Sequence, residues 1–190
     1  LRQAGPSEEA GALGTRRHSA VVETIPVFVG FDPREAIAYH VCCQSIIERA
    51  SVPVAFHPLH LGLLRQYKET HGDGSNAFIY SRFLIPWMMG FSGHAIFVDG
   101  DMIVKADIAE LWAERDLYSA VKVVKHDYKT KHPIKYLGAR NDDYPRKNWS
   151  SVMLINCGHE LNRLLTPTFV SQATGKTLHR FEWLPDELIG

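Results

Sequence analysis

The sequence lacks the features that mark several common functional classes. It has three cysteines, Cys42, Cys43 and Cys157, among 190 residues. None forms a CxxC pair and an odd number does not build a disulfide framework, so free thiols in a reducing compartment are expected. There is no charge excess: lysine plus arginine and aspartate plus glutamate number 21 each. Bulk charge therefore gives no pull towards nucleic acid or an anionic membrane. No apolar run reaches the ~18 residues that a membrane span requires. The N-terminus has neither an apolar leader nor a starting methionine, and reads as part of a fragment or a processed chain. The expected protein is cytoplasmic, in solution or peripheral to a membrane, with no transmembrane segment and no nucleic-acid partner. Zinc spacing is missing too. His57 and His60 lie three apart, but no further Cys or His follows at ligand distance.

What the sequence does have is core-forming material, 45% hydrophobic residues in a chain of one-domain length. Residues 1–24, rich in Gly, Ala, Glu and Arg, read as a flexible tail. Residues 25–190 read as the folded domain. Its first strand is Ile25-Pro-Val-Phe-Val-Gly-Phe31. Asp32 then caps a helix with Pro33 at its first position, running from about Arg34 to Arg49. Ile37, Val41, Ile46 and Ile47 carry its apolar spacing. Further strands are expected from Val52 to Pro58, from Ala95 to Val98, from Leu117 to Val124 and from Ser151 to Asn156. Helices are expected over Leu61–Glu69, over 77–89 with an interruption at Pro86, over Asp107–Trp112 behind a capping box with Glu110, and in much of the chain after His159. Strands alternating with helices indicate an α/β sheet covered on both faces, with ligands at the carboxyl ends of its strands. Cys42 and Cys43 read as buried small hydrophobes.

The sharpest chemical signal is Asp99-Gly100-Asp101, directly after the apolar strand. Residues two apart in an extended chain point the same way, about 6–7 Å apart, and a turn at Gly100 brings the carboxylates closer. Gly100 has no side chain, so backbone or phosphate can approach it. Two carboxylates suit Mg²⁺ or Mn²⁺, which take oxygen ligands and share them with substrate phosphates. The alternative is a solvated turn at a strand end.

The segment Ile96-Phe-Val-Asp-Gly-Asp-Met-Ile-Val, followed by Asp107-Ile-Ala-Glu-Leu-Trp112, resembles the DxD block of glycosyltransferases of the family 8 type, in particular the bacterial type. Tyr80-Ser-Arg-Phe-Leu-Ile-Pro86 is similar to the helix that precedes that block in the family. The strand at 151–156 and the start at Phe31-Asp32 also fit. This resemblance implies a GT-A fold, a Rossmann-like mixed sheet flanked by helices. It implies transfer of a sugar from a nucleotide-sugar donor, a UDP-sugar, to a hydroxyl of a glycan, lipid-linked or protein acceptor, with retention. It further implies that Asp99 and Asp101 bind Mn²⁺ or Mg²⁺, and that Phe31, Asp32, Arg82, Asp99, Gly100 and Asp101 form the donor site. A guanidinium such as that of Arg82 offers a planar fork to oxyanions; its structural alternative is a surface salt bridge. No nucleophile is named.

Two departures accompany the resemblance. The family's late histidine, which completes the metal shell, has no counterpart before Gly190, so the domain is expected to be incomplete at its C-terminus. Asn148-Trp149-Ser150-Ser151 replaces the family's Asn-x-Gly. Two other functions fit parts of the pattern. Phe97-Val-Asp-Gly-Asp also resembles the nucleophile motif of haloacid dehalogenase-like phosphohydrolases. A non-catalytic nucleotide-sugar-binding module would use the same donor residues. Between 126 and 147, Lys129, Lys131, Lys135, Arg140, Arg146 and Lys147 alternate with Tyr128, Tyr136 and Tyr144. This stretch reads as a long surface loop, and as a lid or acceptor platform in its functional form. Lys125 and His126 follow a sheet strand and can approach a diphosphate, but an ordinary solvated loop is the preferred reading of both.

Overall fold

Five strands, Ile25–Phe31 (β1), Val54–His60 (β2), His94–Val98 (β3), Val121–Val123 (β4) and Val152–Asn156 (β5), pair in the order β2-β1-β3-β5-β4. This computed structural model describes residues 23–126 and 145–190. The expected tail up to residue 22 lies outside the described residues, as do Tyr128, Lys129, Lys131, Lys135, Tyr136, Arg140 and Tyr144. β1 runs parallel to β2 and β3, whereas β5 is antiparallel to both β3 and β4. The sheet is mixed, as expected. Beyond β4 the chain end adds a further edge: Val121 bridges Ile189, and Gly190 donates to the Val121 carbonyl at 2.9 Å.

Helices cover both faces, and strand alternation assigns each residue to one of them. Phe28, Ala95, Phe97, Met153 and Ile155 face a core built with Phe83, Leu84, Ile85, Val170 and Leu178. Those partners belong to a 3-10 turn at Ser81–Leu84 and to the helices Ile85–Met88 (α2), Pro167–Gln172 (α4) and Gly175–His179 (α5). Val27, Val29, Ile96, Val98 and Leu154 face the other core. There they meet Cys42 and Ile46 of α1 (Ala36–Ile47) and Ile108 and Trp112 of α3 (Ile108–Ala113).

Local signals explain the boundaries. Asp32 caps as expected, but the chain first makes a 3-10 turn, Pro33–Glu35, before α1. Asp107 caps α3 by accepting the Ala109 N–H at 2.9 Å, and its second oxygen accepts the Ser51 N–H at 3.2 Å. Pro86 sits in the first turn of α2, where its missing N–H costs no bond, so the 77–89 helix becomes two short pieces.

Three expectations change. The helix over Leu61–Glu69 is one 3-10 turn, Leu61–Leu63, with the Gly62 N–H donated to His60 Nδ1; Leu64 and Tyr67 pack into the core without continuing the helix. The strand expected over Leu117–Val124 pairs only at Val121–Val123; Asp116 holds the residues before it, taking the N–H groups of Tyr118 and Ser119. In α1 the face marked by Ile37, Val41 and Ile47 points outwards, with Ile37 80% exposed, and the buried residues are Cys42, Ser45 and Ile46. Ser45 can be buried because its hydroxyl donates to the Cys42 carbonyl and accepts the Val104 N–H.

Candidate functional site

The parallel strands β1, β2 and β3 end on the same edge of the sheet, and β5, running the other way, begins there. Val98 lies opposite Val152. Phe31, Asp32, His60, Asp99 and Ser150–Ser151 therefore share one edge, the position at which α/β sheets hold ligands.

Asp99 leaves β3 with its N–H still donated to the Ser151 carbonyl at 2.9 Å. Its own carbonyl accepts the Met102 N–H at 3.3 Å, which closes a turn over Gly100 and Asp101. Asp101 is exposed at the outer side of this turn. Gly100 is buried for a geometric reason. A Cβ there would fall 2.1 Å from the Gly30 carbonyl oxygen, so the close approach that the glycine permits is that of β1.

Asp99 faces Arg82. Arg82 Nη1 lies 2.8 Å from Asp99 Oδ1, with the side chains only 5% and 17% exposed. Arg82 thus belongs to a buried ion pair and not to a surface salt bridge. Its Nη1 also donates to the Ser150 carbonyl at 2.9 Å, and its guanidinium lies over Phe97 at 4.8 Å and Phe78 at 5.3 Å. The 2.8 Å approach to Asp99 is an ion pair of poor hydrogen-bond geometry, and Arg82 Nε is buried with no hydrogen-bond partner among the described residues. Burial pushes the Asp99 carboxyl above the ordinary carboxylate range and Asp101 adds to the rise, while Arg82 and Ser151 oppose it.

Asp32 is buried and its carboxylate is committed internally. Oδ1 accepts the Arg34 N–H at 2.9 Å and Arg34 Nε at 3.0 Å; Oδ2 accepts Arg34 Nη2 at 2.6 Å and the Ala77 N–H at 3.0 Å. These bonds hold its pKa down at about 2, the Arg34 side chain contributing most. The Ala77 bond places Phe78, whose ring packs against Gly30 so closely that a Cβ on Gly30 would lie 2.5 Å from it. Phe31 points to the α1 side of the sheet. Its ring stacks on His60 at 4.9 Å and meets Tyr39 edge-on at 5.4 Å.

The structure therefore gathers all six sequence candidates at one edge, with Arg82 against Asp99, Gly100 and Asp101 in the turn that follows, and Asp32 tied to Arg34 and Ala77. It also adds residues that the sequence did not single out. Phe78 and Phe97 flank Arg82, Gly30 backs Gly100, and Ser150 holds Arg82. Ser150 in turn bonds His179 Nδ1 through its hydroxyl at 2.9 Å. The only advance signal was Phe78 standing four residues before Arg82. Lys125 donates to the Ile189 carbonyl at 2.6 Å.

The donor set fits a hard divalent cation of the kind that takes one or two carboxylates and fills its shell with substrate phosphate and water. Such a cation would draw on the exposed Asp101 and on Asp99, whose Oδ1 is buried and faces Arg82 Nη1 at 2.8 Å. Among the described residues no group of three or more His, Cys, Asp or Glu stands ready to hold a metal. No helix among them is long and apolar enough to cross a membrane.

No family model matches the chain. It is 46% identical over 168 residues to Protein CDI of Arabidopsis thaliana, an alignment that takes in 86% of this chain and 65% of that protein's length. Among solved structures, the glycosyltransferase GlyE of Streptococcus pneumoniae TIGR4, in its apo form, overlaps with a TM-score of 0.48 at 17% identity, over 86% of this chain and 41% of that one. Mouse xyloside xylosyltransferase 1 overlaps with a TM-score of 0.45 at 15% identity, over 79% of this chain and 74% of that one.

Proposed function

We propose that this chain is the donor-binding part of a metal-dependent glycosyltransferase with a GT-A fold, moving a sugar from a UDP-sugar to an acceptor hydroxyl with retention. The observation that carries this reading is the Asp99-Gly100-Asp101 turn at the carboxyl end of a central strand, with a buried arginine behind the first carboxylate and the second open to solvent. Its likeness to the family 8 DxD block supports the same reading.

In this reading Asp99 and Asp101 hold Mn²⁺ or Mg²⁺, which when bound neutralises charge on the departing diphosphate. Arg82 presents a cation to the same oxyanion from a dry aromatic setting, where its charge is little screened. Gly100 keeps β1 and β3 close enough for one ligand to span both strand ends. Phe31 offers the nucleotide an aromatic edge, and Asp32 holds the Ala77 N–H beside Phe78, whose ring lies against Arg82 and Gly30. Ordering donor and acceptor in this frame lowers the entropic part of the barrier.

The test is a thermal-shift screen of nucleotide sugars with and without Mn²⁺, followed by a transfer assay. A donor at about 100 times its dissociation constant adds roughly 2.7 kcal/mol of stability. Stabilisation that requires Mn²⁺ and disappears in Asp101→Ala supports the reading. If no nucleotide sugar stabilises the protein and Asp101→Ala changes nothing, the reading fails. A phosphate burst with a trapped aspartyl-phosphate would identify a phosphohydrolase instead, and donor binding without transfer a binding module.

A further inference from the structure

The contact between Arg82 and Asp99 sets a protein cation where a metal ion would draw its first carboxylate. Arg82 Nη1 is 2.8 Å from Asp99 Oδ1, so one of the two carboxylates of the turn is already neutralised. Resting on the donor-site reading above, we propose that Arg82 is a built-in competitor of the metal, so that the metal alone binds weakly and a nucleoside diphosphate and the metal bind as one unit.

Three features support this. The ion pair is incompletely satisfied: Arg82 Nε is buried without a hydrogen-bond partner among the described residues, and Asp99 Oδ1 meets Arg82 Nη1 at 2.8 Å with poor hydrogen-bond geometry. A buried charge pair with unsatisfied atoms gains from a new ligand more than a fully bonded one does. Secondly, Arg82 is anchored independently of Asp99. It keeps the Ser150 carbonyl at 2.9 Å and the faces of Phe97 and Phe78, and Ser150 is itself tied to His179. When a divalent ion takes Asp99, the guanidinium stays nearby, and two cations face each other in a poorly screened setting. Thirdly, an anion that touches both removes that repulsion. A diphosphate has enough oxygens to serve the ion and the arginine together. The coupling is reciprocal by linkage: what the diphosphate does for metal affinity, the metal does for diphosphate affinity.

The experiment measures free Mn²⁺ by electron paramagnetic resonance against wild type, Arg82→Met and Arg82→Lys, each with and without UDP and corrected for Mn²⁺–UDP complexes in solution. Removing a positive charge is expected to tighten binding of Mn²⁺ alone by roughly tenfold or more and to shrink the gain that UDP brings; Arg82→Lys, which keeps the charge, should stay near wild type. An Arg82→Met protein that is folded by circular dichroism and binds Mn²⁺ alone no tighter than wild type overturns the proposal. Arg82 is buried, so a measurement on the unmodified protein stands beside the variants. The Nε–H resonance of Arg82 should move when Mg²⁺ and UDP are added together and stay in place with Mg²⁺ alone; an equal shift with Mg²⁺ alone overturns the proposal. If neither wild type nor variant binds Mn²⁺, with or without UDP, the metal-site reading itself fails. Wild type binding Mn²⁺ alone as tightly as Arg82→Met defeats only the competition.

Discussion

Gly100 and Gly30 touch across the ends of β3 and β1, so tightly that a Cβ on Gly100 would sit 2.1 Å from the Gly30 carbonyl oxygen. The obstacle is backbone in the middle of a sheet, which cannot rotate away as a side chain can. Gly100→Ala should therefore separate the strand ends and destabilise the protein by at least the ~1–3 kcal/mol typical of overpacking. Gly30→Ala meets the Phe78 ring, which has more freedom to yield, and should cost less. Urea denaturation of the two variants checks the order; equal or reversed costs would refute it.

Asp101 is exposed and makes none of the internal bonds that hold the turn. Asp101→Asn should keep stability within about ±0.5 kcal/mol of wild type. It should also remove Mn²⁺-dependent stabilisation by a UDP-sugar. A thermal-shift titration reads both effects, and a variant that still responds to donor with Mn²⁺ would exclude Asp101 as a ligand.

The Arg82–Asp99 pair is buried, so breaking it from one side leaves an uncompensated charge. Arg82→Met should cost about 3–5 kcal/mol. Arg82→Met combined with Asp99→Asn should cost less than the sum of the single changes, with a coupling of roughly 0.5–3 kcal/mol. Chemical denaturation of the four proteins in the cycle measures this. Strict additivity would mean that the 2.8 Å contact carries no energy.

Asp32 links stability to acid. Its folded pKa is depressed to about 2 from 3.8, chiefly by the Arg34 side chain, so the unfolded chain takes up a proton first as pH falls. The stabilisation is complete above the unfolded value and is lost as pH drops from about 4 through about 2. It amounts to about 1–2 kcal/mol, since Arg34 is itself largely in water. Asp32→Asn should be less stable than wild type at pH 7 and show a flatter stability profile between pH 4 and 2. Parallel profiles would show that Asp32 does not carry the linkage.

What the sequence determined by itself is local in origin. The apolar run before Asp99 could only be a buried strand, Asp32 and Asp107 stood where caps belong, and Pro86 had to interrupt its helix. An i, i+2 carboxylate pair after such a strand marks the carboxyl edge of a sheet, so the position of Asp99 and Asp101 was legible before any coordinates. Tertiary structure alone decided what those residues meet. Strand order set β5 against β3 and brought the Ser150 carbonyl to Arg82, although 68 residues separate them. It turned Ile37, Val41 and Ile47 of α1 outwards and, of the expected stripe, buried only Ile46, beside Cys42, because helical spacing marks an apolar stripe without saying which part of it the sheet will cover. Of the two approaches that Gly100 left open, backbone or phosphate, it placed backbone there, in the contact between two strands. Periodicity and capping act within a few residues of chain and are written in sequence. Contacts between distant segments depend on how the whole sheet packs, and only the fold supplies them.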